Sequence, residues 1–391
     1  MTSFRIKPAL LQIHSVLGLA AALILSLLGI TGAIMGFEDE IQAGLNAKLS
    51  HVAPRTEAPL SPAELVARLQ ADPALGKVSA ITLSRDPLAA VRVRFARNED
   101  GGRSSSLLVD PYFGRVLGEP RGEAFFTTVR HLHRWLLLPG DGNGAGRQIT
   151  GAAVLGLVVL LITGLVLRWP RRAGSATLWL KPQLGLNGRG LHRSLHSVIG
   201  TWVLPIYLVM ALTGLSYSYA WYKDGLTWLL APASSGASMP GKAPREGRSG
   251  PADAKPVALD LVWATLREQI GDRFAVMQIT LPTGVGTAVR VRTWPSEAHD
   301  GRRDEFRIDG ATGRLLAAER YADKTVGERA LARILDIHRG SILGWPGQFV
   351  SMLAAALMPL FGITGVLLYV SRRRLRRRPE PARTIQLAPG E

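Results

Sequence analysis

The sequence predicts a membrane α-helical protein with four transmembrane helices, arranged as a tandem 2+2 duplication, and two outer α+β domains. Three observations support this fold class: four long apolar segments, an uneven distribution of positive charge, and a set of motifs that occurs twice in the same order. The chain has 391 residues, of which 47% are hydrophobic, and is long enough for two or three domains.

Four segments are long and apolar enough to cross the hydrocarbon core of a bilayer, which takes roughly 20 helical residues. None of them has a charged residue in its middle. The first has a longer apolar run than a secretory signal and no small-x-small cleavage site before Glu38, so we expect it to remain as an anchor. The predicted spans are 10–37, 149–169, 192–221 and 349–370.

The formal net charge of +17 is concentrated in short segments beside the spans. Residues 38–147 have a net charge of only +1 and residues 222–345 one of +3. This distribution predicts that the N-terminus (1–9), the loop 170–191 and the basic tail 371–391 face the cytosol, and that the two large segments face the other side. A basic tail can also bind nucleic acid, but a topology signal explains its position beside a span.

The chain has no cysteine, which excludes disulfides and thiolate metal sites.

Several motifs recur in the same order in both halves of the chain. HSVLG at His14 matches HSVIG at His196, and a Thr-Gly pair follows each at the same distance. This order predicts a tandem repeat of span, outer domain, His-Arg element and span, with parallel halves. The other matched segments are ITLSRDPLAAVRVR (81–94) with ITLPTGVGTAVRVR (279–292), VDPYFGRVL (109–117) with IDGATGRLL (308–316), LHRW (132–135) with IHRG (337–340), and ITG (162–164) with ITG (363–365).

The two outer segments, 38–130 and 257–335, are each predicted to form a small α+β domain. In the first, Ser61 and Glu64 have the spacing of a capping box before an amphipathic helix. Alternating β-branched runs then predict strands near 78–83 and 90–95, with a turn at 110–114. The second predicts a helix near 259–270, strands near 275–281 and 288–293, and a turn at 309–313. Residues 222–256 are expected to form a linker, and His-Arg interfacial elements are expected at 131–148 and 336–348.

With the DPYFGRVLG turn, the HSVLG and HSVIG span openings and the LHRW element, the chain resembles the PepSY-associated transmembrane family of bacterial inner-membrane proteins. The resemblance covers nearly the whole chain. It implies that the outer domains are periplasmic PepSY-like domains. The family includes haem-containing ferric-siderophore reductases of the ferrioxamine type, so the resemblance also implies oxidoreductase activity on a ferric siderophore, expected to be of the hydroxamate type.

Four histidines are matched by the repeat: His14 with His196, and His133 with His338. The topology puts the first pair near the cytosolic face and the second near the outer face. Histidines at one depth on facing helices can supply the two axial ligands of a haem iron, which predicts two b-type haems per chain. A histidine at a membrane interface can instead have a purely amphipathic role, but two matched pairs at two depths favour haem ligation.

Three further residues belong to the predicted sites. His192 lies one helical turn before His196, and either could be the ligand opposite His14. Arg134 and Arg339 each follow a candidate ligand. Their guanidinium groups could bind haem propionates or, equally, lipid headgroups.

Two haems at opposite faces would form an electron path across the membrane. No Gly-rich nucleotide motif lies on the cytosolic side, so the electron donor is expected to be a quinol or a separate reductase. The main alternative is a non-redox membrane anchor whose outer domains bind or regulate a periplasmic partner such as a peptidase. A transporter is less consistent with the sequence, because the span centres are almost entirely apolar.

Overall fold

The computed structural model of the chain describes residues 6–96, 106–169, 174–232, 257–282, 286–297 and 300–376. These residues fold into two compact units. The helical unit comprises Met1–Ile34, His131–Ser218 and Phe349–Glu391, and the sheet unit comprises Met35–Arg130 and Tyr219–Gln348.

The regular elements alternate between long helices and short α+β stretches. In chain order they are α1 (Ile6–Ile34), α2 (Glu38–Asn46), α3 (Pro62–Gln70), β1 (Val78–Ser84), β2 (Val91–Phe95), β3 (Ser106–Val109), β4 (Val116–Gly118), α4 (Glu123–Trp135), α5 (Ala145–Arg168), α6 (Ala176–Leu180), α7 (Gly188–Ser218), α8 (Ala220–Leu230), α9 (Leu259–Ile270), β5 (Val276–Thr280), β6 (Ala288–Trp294), β7 (Asp304–Asp309), β8 (Leu315–Glu319), α10 (Val326–Ala332), α11 (Ile334–Arg339), α12 (Gly344–Ala356) and α13 (Met358–Arg376).

Four helical segments are long and apolar enough to cross a membrane, and they coincide with the four predicted spans. Large apolar side chains on these helices are exposed, Leu23 to 78% and Ile363 to 60%, as lipid-facing side chains of a membrane protein would be. The helix ends differ from the predicted ends by a few residues. In the third span, for example, the helix stops at Ser218 because Tyr219 adopts an extended conformation and begins α8.

The four membrane helices form a ring in which α1 contacts α5 and α13, and α7 contacts the same two helices. Helices α1 and α7 therefore lie diagonally opposite each other. The centre of the ring is apolar and includes Leu25, Leu157, Val203 and Ala211. This arrangement directs one face of α1 and one face of α7 toward a shared axis.

The fourth span is interrupted between α12 and α13, at Leu357. Pro359 has no N–H to continue the helical hydrogen bonding. One carbonyl near the break is satisfied from another helix, because the Tyr207 hydroxyl donates a 2.7 Å hydrogen bond to the Ala354 oxygen. Backbone polar groups inside a bilayer need such internal partners. By contrast, α7 continues through Pro205.

The sheet unit contains one eight-stranded antiparallel sheet with the order β4-β3-β2-β1-β5-β6-β7-β8. Its core lies between one face of the sheet and helices α3 and α9. The fully buried side chains include Leu65 and Leu266 from the helices, and Ile81, Ile279 and Phe306 from the strands. The capping box predicted at Ser61 and Glu64 is confirmed at the start of α3.

The two outer segments share this sheet. Each contributes a helix and four strands, close to the positions predicted from the sequence, but β1 of the first segment pairs with β5 of the second. Ile81 lies opposite Ile279 in that pairing, and both side chains are fully buried. The sequence predicted two separate α+β domains, whereas the structure joins them through one continuous sheet and one core.

Both predicted turns are present and have the same hydrogen-bonding pattern. The Asp110 carboxylate accepts a hydrogen bond from the Tyr112 N–H at 2.7 Å, and the Asp309 carboxylate accepts one from the Ala311 N–H at 2.9 Å. In each turn the glycine N–H four residues after the aspartate bonds to the aspartate carbonyl. Gly114 and Gly313 have positive φ angles of 67° and 71°, which explains why glycine occupies this position.

We expect Asp309 to make stability depend on pH in the acid range. Hydrogen bonds from the backbone N–H groups of Ala311 and Thr312 lower the pKa of Asp309 below its ordinary value of 3.8. A lowered folded-state pKa means that the ionised carboxylate stabilises the fold above the ordinary pKa, and that this contribution is lost as the pH falls through the folded-state value. The thermal unfolding temperature of the wild type should therefore fall more steeply on acidification than that of Asp309→Asn. The same dependence of the unfolding temperature on pH in both proteins would contradict this expectation.

Candidate functional site

Two histidines face each other across the helical unit. His14 lies near the start of α1 and His196 in the first third of the diagonally opposite helix α7. Their ring centroids are 6.2 Å apart, and the ring planes are inclined by 76°. The sequence repeat predicted that these two residues would form a pair, and the structure brings them together.

Each of these histidines is held by a threonine from a neighbouring helix. His14 Nδ1 lies 2.9 Å from Thr163 Oγ1 of α5, and His196 Nδ1 lies 2.8 Å from Thr364 Oγ1 of α13. The two histidines thus come from one pair of diagonally opposite helices, α1 and α7, and the two threonines from the other pair, α5 and α13. We refer to His14, His196, Thr163 and Thr364 as the paired-histidine site.

The threonine hydroxyls determine which histidine nitrogen carries the proton. Thr163 Oγ1 donates a 2.7 Å hydrogen bond to the Val159 carbonyl, and Thr364 Oγ1 donates a 2.6 Å bond to the Leu360 carbonyl. A hydroxyl has only one proton to donate, so each oxygen must accept its other hydrogen bond from the histidine Nδ1–H. Nε2 is then unprotonated, and its lone pair is available to bind a metal.

A glycine follows each of these threonines and leaves space for the histidine ring. A Cβ atom at Gly164 would lie 3.3 Å from Cε1 of His14, and one at Gly365 would lie 3.9 Å from Cε1 of His196. The ring of Phe361 also packs against His196, with centroids 5.4 Å apart. The Thr-Gly pairs therefore contact the imidazoles in two ways, through the threonine hydroxyl and through the close approach that the glycine allows.

The separation of the two rings would allow His14 and His196 to hold one metal ion between them. Imidazoles bound through Nε2 to opposite sides of one metal ion, with bonds of about 2.0 Å, have ring centroids roughly 6.3 Å apart. Among the described residues there is no group of three or more His, Asp or Glu side chains that could hold a metal ion by itself. A haem iron needs only two protein ligands, because the macrocycle supplies the other four.

His133 has the same local arrangement near the other end of α1. Its Nδ1 lies 2.8 Å from Thr31 Oγ1, which donates a 2.7 Å hydrogen bond to the Leu27 carbonyl. A Cβ atom at Gly32 would lie 3.4 Å from His133 Cε1. The Thr31 hydroxyl therefore accepts a hydrogen bond from His133 Nδ1–H, as the threonines of the paired-histidine site do. Its predicted counterpart, His338, lies half-buried in α11 of the sheet unit.

The remaining predicted residues have other positions. His192 lies one turn before His196 on α7, and it is His196 that contacts His14. The assignment of the iron ligand to His196 or His192 stays a prediction, and the ring that lies next to His14 is that of His196. Arg134 stacks on Trp135, with its guanidinium carbon 5.0 Å from the ring centroid. Arg339 forms an ion pair with Asp39 at 3.1 Å.

The sequence did not predict that the threonines would be the hydrogen-bond partners of the histidines. A signal was nevertheless present: every predicted span contains a Thr-Gly pair preceded by Ile or Leu, at 30–32, 162–164, 212–214 and 363–365. Small residues are common where membrane helices pack, which made this motif ambiguous. Knowing which helices are neighbours is required to assign each threonine to its histidine.

Comparison with protein families gives one match. The family model described as the PepSY-associated TM region matches residues 11–372 of the chain. The match includes all four membrane helices and the sheet unit. Comparison with curated proteins finds no similar sequence.

Proposed function

Since this chain belongs to the PepSY-associated TM region family, we propose that it is a di-haem b protein of the bacterial inner membrane. In this proposal it carries electrons across the membrane and reduces the iron of a periplasmic ferric siderophore. The observation that carries the proposal is the paired-histidine site. Two histidines from opposite helices have ring centroids 6.2 Å apart, and the Nδ1 atom of each lies within hydrogen-bond distance of a threonine hydroxyl.

The residues of the chain have distinct tasks in this proposal. His14 and His196 would hold the haem iron through Nε2. Thr163 and Thr364 accept the Nδ1–H bonds and keep the rings oriented, as partners of metal-bound histidines commonly do. A haem bound there would supply reversible one-electron transfer through its iron. Arg134 and Arg339 are proposed to neutralise propionate groups near the outer face.

We propose His133 and His338 as the ligands of the second haem, because the sequence repeat matches them and because the Thr31 hydroxyl accepts a hydrogen bond from His133 Nδ1–H. Along α1, Thr31 lies about 25 Å from His14, at 1.5 Å per residue. Two sites at these depths would therefore replace one electron transfer across the whole bilayer by shorter transfers. The repeated Thr-Gly motifs also support the proposal that the chain arose by tandem duplication.

The proposed topology places both termini in the cytosol and the sheet unit in the periplasm. The basic segments beside the spans support it. The pairing of β1 with β5 is consistent with it, since both outer segments must then lie on the same side of the membrane. A quinol or a separate reductase would supply the electrons. Each ferric ion takes up one electron and becomes ferrous, so one two-electron quinol would reduce two ferric chelates and release two protons.

Purified protein should contain about two low-spin b-type haems per chain, one for each matched histidine pair. The measurement is a visible spectrum with a pyridine haemochrome assay, normalised to protein mass. About one haem per chain would restrict the proposal to the paired-histidine site. A colourless preparation that remains so after reconstitution with haem would exclude it and would favour a non-redox anchor that binds a periplasmic partner.

A further inference from the structure

One face of the sheet carries a group of arginines that the proposed electron path does not use. In β2, Arg92 and Arg94 alternate with the buried residues Val91, Val93 and Phe95. The same VRVR pattern places Arg290 and Arg292 of β6 on the side of the sheet opposite the core. Arg307 of β7 lies beside them, directly across from Arg290. We call this surface, formed by Arg92, Arg94, Arg290, Arg292 and Arg307, the arginine face.

The strand register arranges the arginine face symmetrically about the centre of the sheet. One row across the strands reads Arg94, Ala80, Thr280, Arg290, and the next reads Arg92, Thr82, Gln278, Arg292. Small or uncharged side chains thus form a central strip on β1 and β5, with two arginines on either side. The two arginine pairs are three strand spacings apart, or about 14 Å. The face ends at β3, where Ser106 and Leu108 are buried.

Positive charge on this face exceeds negative charge. Arg292 forms an ion pair with Glu305 at 2.9 Å, and Glu319 of β8 pairs with Lys324 at 3.7 Å. Within the described part of the chain, Arg92, Arg94 and Arg290 form no ion pair. Partial burial, and to a smaller extent the charges of Arg292 and Arg307, lower the pKa of Arg290, and the carboxylate of Glu305 acts in the opposite direction.

We propose that the arginine face binds the ferric chelate and that this chelate is a polyanion whose iron is held by carboxylate or catecholate oxygens. The proposal rests on the proposed function and specifies its substrate class. Arginine guanidinium groups bind carboxylate and phenolate oxygens through charge-assisted hydrogen bonds, often in pairs. Arginines on both sides of an uncharged strip can contact two sides of one compact chelate. A cationic hydroxamate complex, the type implied by the family resemblance, would be repelled.

The test measures binding in the absence of electron transfer. Gallium(III) has the charge and nearly the size of ferric iron but is not reduced under these conditions, so its chelates report recognition alone. Full-length protein in nanodiscs of zwitterionic lipid would be titrated calorimetrically with a trianionic gallium tris-catecholate and with the monocationic gallium complex of a linear tris-hydroxamate. The neutral lipid prevents headgroups from competing for the arginines.

The test variant is Arg94→Gln/Arg290→Gln, which removes two exposed arginines from one row. The matched control is Arg68→Gln/Arg267→Gln, which removes two exposed arginines from the helices on the other side of the sheet. We expect the wild type and the control to bind the trianion with equal affinity, and the test variant to bind about tenfold more weakly or worse. Arg94→Lys/Arg290→Lys should recover part of the loss, and added salt should weaken binding by the wild type most.

Equal affinity of the wild type and the test variant for the trianion would overturn the proposal. The proposal would also be overturned if the wild type bound the monocationic complex more tightly than the trianion, or if it did not bind the trianion. Haem content is measured on the same samples. Haem-loaded protein that does not bind the trianion refutes only the substrate class, whereas absence of haem bears only on the proposed function.

Discussion

Replacing His196 with alanine is expected to abolish low-spin haem binding at the paired-histidine site and to lower the content of low-spin haem from about two per chain to about one. The expectation follows from the 6.2 Å separation of the His14 and His196 rings, which leaves one axial position without a ligand when either ring is removed. His14→Ala should have the same effect. The measurement is the pyridine haemochrome assay together with the low-spin absorption bands of the purified protein.

His192→Ala is the matched control. It removes a histidine from the same helix, one turn away, and should leave the haem content unchanged. Free imidazole added to His196→Gly should restore the low-spin bands, because the small ligand can occupy the space left by the side chain. If His192→Ala loses a haem and His196→Ala retains both, the assignment of the ligand is wrong.

Thr364→Val should weaken retention of the same haem by about 10- to 100-fold without removing a ligand. Valine has nearly the shape of threonine but cannot accept a hydrogen bond. The His196 Nδ1–H would then be buried without its 2.8 Å partner, and the ring would lose its fixed tautomer and orientation. The rate of haem transfer from the protein to apomyoglobin measures this effect.

Thr364→Ser keeps the hydroxyl and should restore slow haem release. Thr201→Val is the control for replacing a threonine within a membrane helix, since the Thr201 hydroxyl donates only to the Ser197 carbonyl of its own helix. Haem release from Thr364→Val that is as slow as from Thr201→Val would show that the threonine is not needed to position His196.

The elements that depend on local sequence were predicted well. Hydropathy identified four spans that coincide with the membrane helices, and the alternating VRVR segments predicted β2 and β6 to within a residue. The motif repeat paired His14 with His196, whose rings lie close together in the structure. Hydrophobic periodicity predicts these elements because it depends on residues within one helix or strand. The motif repeat predicts the histidine pair because it depends only on two matched positions.

The features that depend on packing between distant segments were not predicted. The local sequence does not indicate that β1 pairs with β5. The edge strand of a four-stranded segment can have the same sequence pattern whether its free edge faces solvent or pairs with another strand. The bonds from Thr163 to His14 and from Thr364 to His196 likewise depend on the ring order of the helices. The hydrogen bond from the Tyr207 hydroxyl to the Ala354 carbonyl, near the break at Leu357, also depends on which helices are neighbours.

The central position of the β1–β5 pair has a consequence for the time course of biosynthesis. Ser84 is separated from its partner Val276 by about 190 residues, which include two membrane helices. At a synthesis rate of 5–20 residues per second, β5 is therefore made roughly 10–40 s after β1. During that interval β1 can pair with β2, and β3 and β4 can extend the sheet beyond β2, but the other edge of β1 remains open and prone to pairing with another chain. The nascent protein is thus most vulnerable to aggregation after its first half has been made, and the synthesis of the third span and of β5 limits how soon that vulnerability ends.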